Sequence, residues 1–301
     1  MRFEGIYTPV ITPFAEDYSI NYPAFEALVD CLVEAGVHGI IVGGTTGEYY
    51  VETLEERVKL LQLAVARCAG RVPVIFGTGS INPEESLALA RAAVEQRADA
   101  ILVATPPYSL PTERELAEHV LAVDKAANLP IMLYNYPARM GVSMGEEFFE
   151  RVSGSANICA IKESSGDINR LHLLMQKSPQ LQTSCGMDDQ ALEFFAWGAK
   201  SWVCAGSNFL PKEHVALYHA CVVEGNFDKG RRIMAAMMPL MSVLEQGGKF
   251  IQCVKHGVTL SGQFAGVTRK PLLGLEESEK QQLAQVVSTL KTTIADIEQG
   301  A

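Results

Sequence analysis

Eight short apolar runs, each followed by a stretch of helical periodicity after a short connection, predict an α/β fold built as a parallel (β/α)8 TIM barrel. The length of 301 residues agrees. One such barrel takes about 250 residues and leaves chain over for an extension. From about Gly225 onward the pattern is helical only. The expected division is a barrel over 1–224 and a C-terminal helical extension of the same domain over 225–301. Periodicity cannot by itself close a barrel, so a doubly wound open sheet stays open as the alternative.

The elements follow in order. Gly5–Val10 reads as a first strand, and a helix is expected over Tyr22–Ala35 with Phe25, Leu28, Val29 and Leu32 on one face. His38–Val42 is the expected second strand, followed by a glycine-rich turn and a helix over Leu54–Cys68. Val72–Phe76 reads as the third, with a helix after Pro83, a residue suited to a first helical turn. Ala100–Ala104 and Pro130–Tyr134 read as the fourth and fifth, with helices expected over Thr112–Ala126 and near Gly145–Val152. The sixth run, Ile158–Ile161, ends on Lys162 and precedes a helix over Ile168–Lys177. Leu181–Ser184 is weaker in β character and precedes a helix expected over Asp188–Trp197. Ser201–Ala205 completes the eight, with a helix after Pro211; Pro271 interrupts the tail before a last helix from about Glu276.

Charge and composition exclude whole classes of function. The net charge of −10 opposes nucleic acid or an anionic membrane as the main partner. The apolar runs are strand-sized, too short to span a bilayer, and Met1–Gly5 lacks the apolar stretch of a signal peptide. The expected location is cytoplasmic. Seven cysteines form no CxxC pair and are odd in number, which predicts buried reduced thiols rather than disulfides. No HxxxH pair occurs, and His214 and His219 stand off any one helical face, so no metal site is expected.

Lys162 concentrates the chemistry. Desolvating an ammonium costs several kcal/mol, so a lysine ending a buried strand either reaches back to water or has its pKa depressed. The neutral amine that results can attack a ketone and form a Schiff base. In a barrel, loops leaving the C-terminal strand ends build the site. That filter gathers Thr45, Thr46, Tyr108, Tyr134, Arg139, Lys162, Gly186 and Ser207. Their expected convergence on one mouth favours a nucleophilic Lys162 over a solvated one.

Three motifs in these loops carry a resemblance. Gly43-Gly44-Thr45-Thr46-Gly47-Glu48, Tyr134-Asn135-Tyr136-Pro137-Ala138-Arg139 and Ile161-Lys162-Glu163, in this order, resemble the dihydrodipicolinate synthase and N-acetylneuraminate lyase family of Schiff-base class I aldolases. The resemblance runs from Gly5 to about Ala220 and more loosely through the tail. It implies a lyase in which Lys162 condenses with pyruvate or another 2-keto acid. No metal or organic cofactor is implied, because the iminium is itself the electron sink. Tyr134 would transfer protons, and Thr45 would link it to Tyr108 in a relay. Amides around Thr45 and Thr46 would hold the keto acid carboxylate. Tyr108 would reach the site across a subunit interface, which implies a homo-oligomer, a dimer or a tetramer. Arg139 suits a second carboxylate, and Gly186 and Val203 match positions near the keto acid.

The departures from the family pattern shape the rest. Residues matching the lysine-inhibitor site of some members are changed: Tyr49, Tyr50, Leu54, Arg57, Ile81 and Pro107 stand at altered positions, and Glu85 alone is retained. No feedback inhibition by lysine is expected. Gly186-Met187-Asp188-Asp189 and Gly206-Ser207 resemble instead the lyase-type pattern, in which carboxylates and a serine hydroxyl bind a polyhydroxylated tail; Asp188 and Ser207 are therefore expected to touch substrate. The leading expectation is condensation of pyruvate, or a 2-keto acid, with an aldehyde, in the manner of dihydrodipicolinate synthase. An aldolase or dehydratase for a 2-keto-3-deoxy sugar acid or an N-acetylneuraminate-type substrate is the alternative. A catalytically idle barrel serving as a binding subunit is the non-enzymatic one.

Overall fold

Residue Gly5 pairs with Ser201, and that one register decides the architecture: the first and eighth strands meet and the sheet closes. The computed structural model describes residues 1–300. Its parallel strands are β1 (Gly5–Pro9), β2 (Gly39–Val42), β3 (Val74–Gly77), β4 (Ala100–Ala104), β5 (Ile131–Asn135), β6 (Ile158–Glu163), β7 (Gln182–Cys185) and β8 (Ser201–Val203). They follow one another around a barrel in sequence order, so the open-sheet alternative is ruled out. The helices outside are α1 (Tyr22–Glu34), α2 (Leu54–Cys68), α3 (Pro83–Glu95), α4 (Glu113–Ala127), α5 (Pro137–Met140), α6 (Glu146–Val152), α7 (Ile168–Lys177), α8 (Ala191–Ala196) and α9 (Pro211–Tyr218). The tail adds α10 (Phe227–Gln246), α11 (Phe250–Leu260) and α12 (Glu277–Glu298). Among the described residues, no helix is long and apolar enough to cross a membrane.

Alternation along the strands decides what the barrel encloses. On β2, Ile41 joins the cluster inside the barrel, while Ile40 and Val42 pack outward beneath the helices. On β5, Met132 and Tyr134 belong to the inner cluster, Ile131 and Leu133 to the outer one. Lys162 shares the parity of the inward Ala160, so β6 delivers its lysine to the interior at the strand's C-terminal end.

Local chemistry starts the helices where the sequence requires. Thr53 with Glu56, and Thr112 with Glu115, form reciprocal capping boxes on α2 and α4. Asn21, Asn82 and Asp167 cap α1, α3 and α7 through side-chain oxygens. Each cap satisfies backbone N–H groups that a first turn leaves without partners. In the tail, Ile233, Met234, Met237, Leu240, Met241 and Leu244 recur at three- and four-residue spacing, which buries one face of α10.

The structure departs from the sequence expectation in particulars. β3 starts at Val74 rather than Val72: Pro73 has no N–H to give a ladder, and its carbonyl accepts from the Ile40 amide at 3.0 Å. β8 stops at Val203, because Gly206–Asn208 winds into a tight 3-10 turn. A similar turn at Asp188–Gln190 shortens α8. α5 was not anticipated. β7 forms despite weak β character, because its neighbours β6 and β8 supply the pairing. All seven cysteines are free; five are buried, but Cys31 and Cys159 are only partly so. His214 is packed core: its ring stacks at 4.8 Å on Trp202 and its Nδ1 lies 2.7 Å from the Leu210 carbonyl.

Candidate active site

The C-terminal ends of the strands surround a cavity of about 140 Å³ with Lys162 in its wall. β5 and β6 pair Tyr134 with Lys162, so backbone register alone brings the two together. The Lys162 Nζ lies 4.1 Å from the centroid of the Tyr134 ring. Burial pushes the Lys162 pKa down to about 8, against the pull of Asp188 and Tyr136 toward the charged form. Glu163, the next residue, acts as a brace. Its carboxylate accepts from Asn135 Nδ2 at 3.0 and 2.9 Å, from the Ser165 amide at 2.7 Å and from Arg170 Nε at 3.3 Å. The end of β6 is thereby tied to β5.

Burial also holds the Tyr134 phenol well above the ordinary range, so at neutral pH it keeps its proton. Hydrogen bonds to the Thr45 and Ser164 side chains act against that rise. Thr45 stands in a 3-10 turn, Thr45–Gly47, entered through Gly43 at φ +71°. That left-handed conformation favours glycine. Gly44, Thr45 and Thr46 all line the cavity. Gly186 is needed for space: a Cβ there would stand 2.0 Å from Ser164 Oγ and 2.8 Å from Lys162 Cγ. Its absence lets the loop after β7 close on the lysine.

The other expected residues divide. Val203 and Arg139 line the cavity, and the Arg139 guanidinium lies 5.5 Å from the Tyr136 ring. Asp188 is buried beside Lys162; one oxygen accepts from Trp202 Nε1 at 2.9 Å and the other has no partner among the described residues. Burial raises its pKa to about 6, opposed by the Trp202 hydrogen bond and Lys162. Ser207 stands outside the cavity. Its buried hydroxyl donates to the Cys204 carbonyl at 2.6 Å and lies 2.8 Å from Thr8 Oγ1, which corrects the expectation that it faces substrate. Tyr108 is 91 % exposed, at φ 73°, and does not line its own chain's cavity.

Sequence reading missed what the tail contributes. Leu244, Glu245, Gly248 and Phe250, at the turn between α10 and α11, line the cavity opposite the strands. Burial, together with Asp188 and Asp189, raises the Glu245 pKa to about 7. The tail also grips the loop that carries the threonines. Lys255 of α11 pairs with Glu48 at 2.6 Å, and the Arg269 amide donates to the other Glu48 oxygen at 3.1 Å. No local pattern announces either contact; only the last turn of α10, where an apolar stripe ends on an acid, hints at Glu245. Among the described residues no group of three histidines, cysteines or acids is placed to hold a metal ion.

This arrangement has relatives. The model of the dihydrodipicolinate synthetase family matches residues 2–290. A 4-hydroxy-tetrahydrodipicolinate synthase of Exiguobacterium sibiricum is 36% identical over 293 residues, covering 97% of this chain and 99% of its own. The structure of the same-named enzyme from Methylacidiphilum fumariolicum superposes with a TM-score of 0.93 at 29% identity, covering 99% of both chains. A prophage protein of Escherichia coli, described as belonging to the dihydrodipicolinic acid synthase family and solved with pyruvate, superposes at a TM-score of 0.89 with 30% identity, covering 97% of this chain and 99% of its own.

Proposed function

The chain belongs to the dihydrodipicolinate synthetase family, whose members are lyases of the class I aldolase type, and we propose that it joins pyruvate, or a close 2-keto acid, to an aldehyde through a Schiff base on Lys162. One observation carries this reading: a buried amine without an ion-pair partner among the described residues, with its pKa lowered to about 8, sits beside a protonated phenol. The pyruvate bound by the Escherichia coli neighbour supports the choice of keto acid.

The chemistry follows from these groups. The neutral Lys162 amine adds to the ketone carbon, forming a C–N bond. Tyr134 gives its proton to the departing oxygen, which leaves as water, and an iminium remains. The resulting phenolate takes a proton from the adjacent carbon and turns the iminium into an enamine. That carbon then attacks the aldehyde, forming a C–C bond, and the new alkoxide takes the proton back from Tyr134. Water adds to the iminium and returns a proton to the phenolate, and the product leaves the free amine. The turn amides at Thr45 and Thr46 hold the keto acid carboxylate, while Thr45 and Ser164 orient the phenol. Arg139 sits at the entrance. No metal or organic cofactor enters, since the iminium supplies the electron sink.

Residues 1–224 and 225–301 work as one catalytic unit, because the tail completes the cavity wall. Tyr108 projects too far into solvent to serve its own site, so we assign it to a neighbouring subunit and the active form to a homo-oligomer. Sedimentation of a monomer only would remove Tyr108 from the relay. Seven free thiols support a reducing, cytoplasmic setting. Borohydride reduction with pyruvate tests the central claim: one pyruvate-derived adduct on Lys162 is expected, and an unchanged mass sinks it.

A further inference from the structure

Glu245 occupies a place that costs the fold energy without visible return. Met237, Met241 and Glu245 follow one another at four-residue spacing, so an otherwise apolar stripe of α10 ends on a carboxyl group. It lies in the last turn, where the helix dipole disfavours negative charge. Desolvation, Asp188 and Asp189 all resist its ionisation, and Lys162 and Arg139 favour it less strongly. It is given no hydrogen bond by any described residue, yet it lines the cavity. Asp188 nearby is buried and likewise keeps one oxygen without a partner. Positions where local preferences are broken in this way mark functional sites.

The charges in the cavity say what such an acceptor is for. Its charged lining residues are Arg139, Lys162, Asp188 and Glu245. With a keto acid joined to Lys162, the iminium and Arg139 face the keto acid's own carboxylate and two carboxyl groups, Asp188 and Glu245, whose ionisation burial already resists. An incoming aldehyde that brings a carboxylate and nothing else places a further negative charge beside these acids and gives them no donor. One that carries a hydroxyl or ammonium offers a donor to Glu245, which receives none from the described residues.

Resting on the Schiff-base reading above, we propose that Glu245 is a specificity-determining residue: it accepts a hydrogen bond from a donor on the aldehyde and selects aldehydes that bear one. The donor is a hydroxyl or an ammonium group, and matched pairs separate the two. Aspartate semialdehyde differs from succinic semialdehyde by its ammonium, and glyceraldehyde differs from propanal by its hydroxyls.

The test measures kcat/KM for the four aldehydes with pyruvate, in the wild type and in Glu245→Leu and Glu245→Gln. At least one donor-bearing aldehyde should exceed its donor-free counterpart by about tenfold or more in the wild type, the scale of a hydrogen bond to a charged acceptor. Glu245→Leu should close that gap, and Glu245→Gln, which keeps an acceptor oxygen, should retain part of it. Because each comparison is a ratio within one variant, loss of folded protein cancels. Equal rates within both pairs, no turnover of either donor-bearing aldehyde, or a preference that survives in Glu245→Leu overturns the proposal. Borohydride trapping of pyruvate by the wild type is read separately. If trapping fails, the Schiff-base reading falls; if it succeeds while the ratios stay flat, only the role of Glu245 falls.

Discussion

Two lysines are buried among the described residues, and their surroundings differ. Lys162 is 9 % exposed and makes no ion pair among the described residues; its Nζ faces the Tyr134 ring. Lys255 is 3 % exposed and pairs with Glu48 at 2.6 Å, donates to the Val267 carbonyl at 2.5 Å and lies 4.4 Å from the Phe14 ring centroid. Burial lowers both pKa values, but at Lys255 the neighbouring Glu48 pulls back toward the charged form. The difference teaches that burial alone does not make a nucleophile. Lys255 touches a carboxylate and fastens two segments together, whereas Lys162 has no carboxylate in ion-pair contact among the described residues and its pKa is lowered to about 8.

The largest effect that would break this comparison is expected at Lys162. Lys162→Ala should lose both the borohydride-trapped adduct and turnover, whereas Lys255→Met should still yield an adduct, read by mass. Next comes Tyr134→Phe, expected to slow turnover about 10²–10⁴-fold in steady-state kinetics as acid–base help is lost.

The fastener should register in stability. Lys255→Met leaves Glu48 buried without its partner and should cost about 3–5 kcal/mol in a denaturant titration. It should also raise KM for pyruvate more than it lowers kcat, because Glu48 follows the turn proposed to hold the carboxylate. Adding Glu48→Gln should recover part of the lost stability, the signature of a coupled pair.

The pH dependence sharpens the contrast further. Trapping of pyruvate should rise about tenfold per unit as pH climbs toward the Lys162 pKa of about 8, then level off. Asp188 and Glu245, ionising near 6 and 7, hold the ammonium form and soften the rise. The stability sign follows from the same shift. Between about 8 and the ordinary 10.5 the unfolded chain binds the extra proton, so Lys162 makes the fold more stable as pH rises through that window. The smallest effect expected is none: sub-millimolar lysine should leave the rate unchanged in an inhibition assay. Arg57 fills that region, donating to Gly77 and Gly79 carbonyls at 2.7 and 2.9 Å beneath the Tyr49 ring.

Much of this was legible in the chain because it rests on local order. Strand and helix periods gave the eight units, and the ends of the fifth and sixth runs placed Tyr134 and Lys162 at the mouth; their inward face is set by the closed sheet, because strands buried on both sides carry no polar alternation. Glycines at 43 and 44 marked a turn whose backbone can approach a ligand closely, whereas the need for Gly186 appears only where its loop meets Ser164 and Lys162. Ser207 misled because a hydroxyl after a strand can turn to either side, and here Thr8 and the Cys204 carbonyl claim it. Ser164 was passed over because a serine beside a lysine carries no signal of its own.

By itself, then, the sequence marked the eight strand–helix units and set Lys162 at the end of the sixth strand, beside the loops of the mouth, since each depends on neighbours a few residues apart. Closure of the sheet, the tail's turn over the barrel mouth, the approach of Glu245 to Lys162 and the grip of Lys255 on Glu48 were decided only in three dimensions. These contacts join positions tens to hundreds of residues apart. Their partners are chosen by how helices pack on a closed barrel, which no period in the chain records.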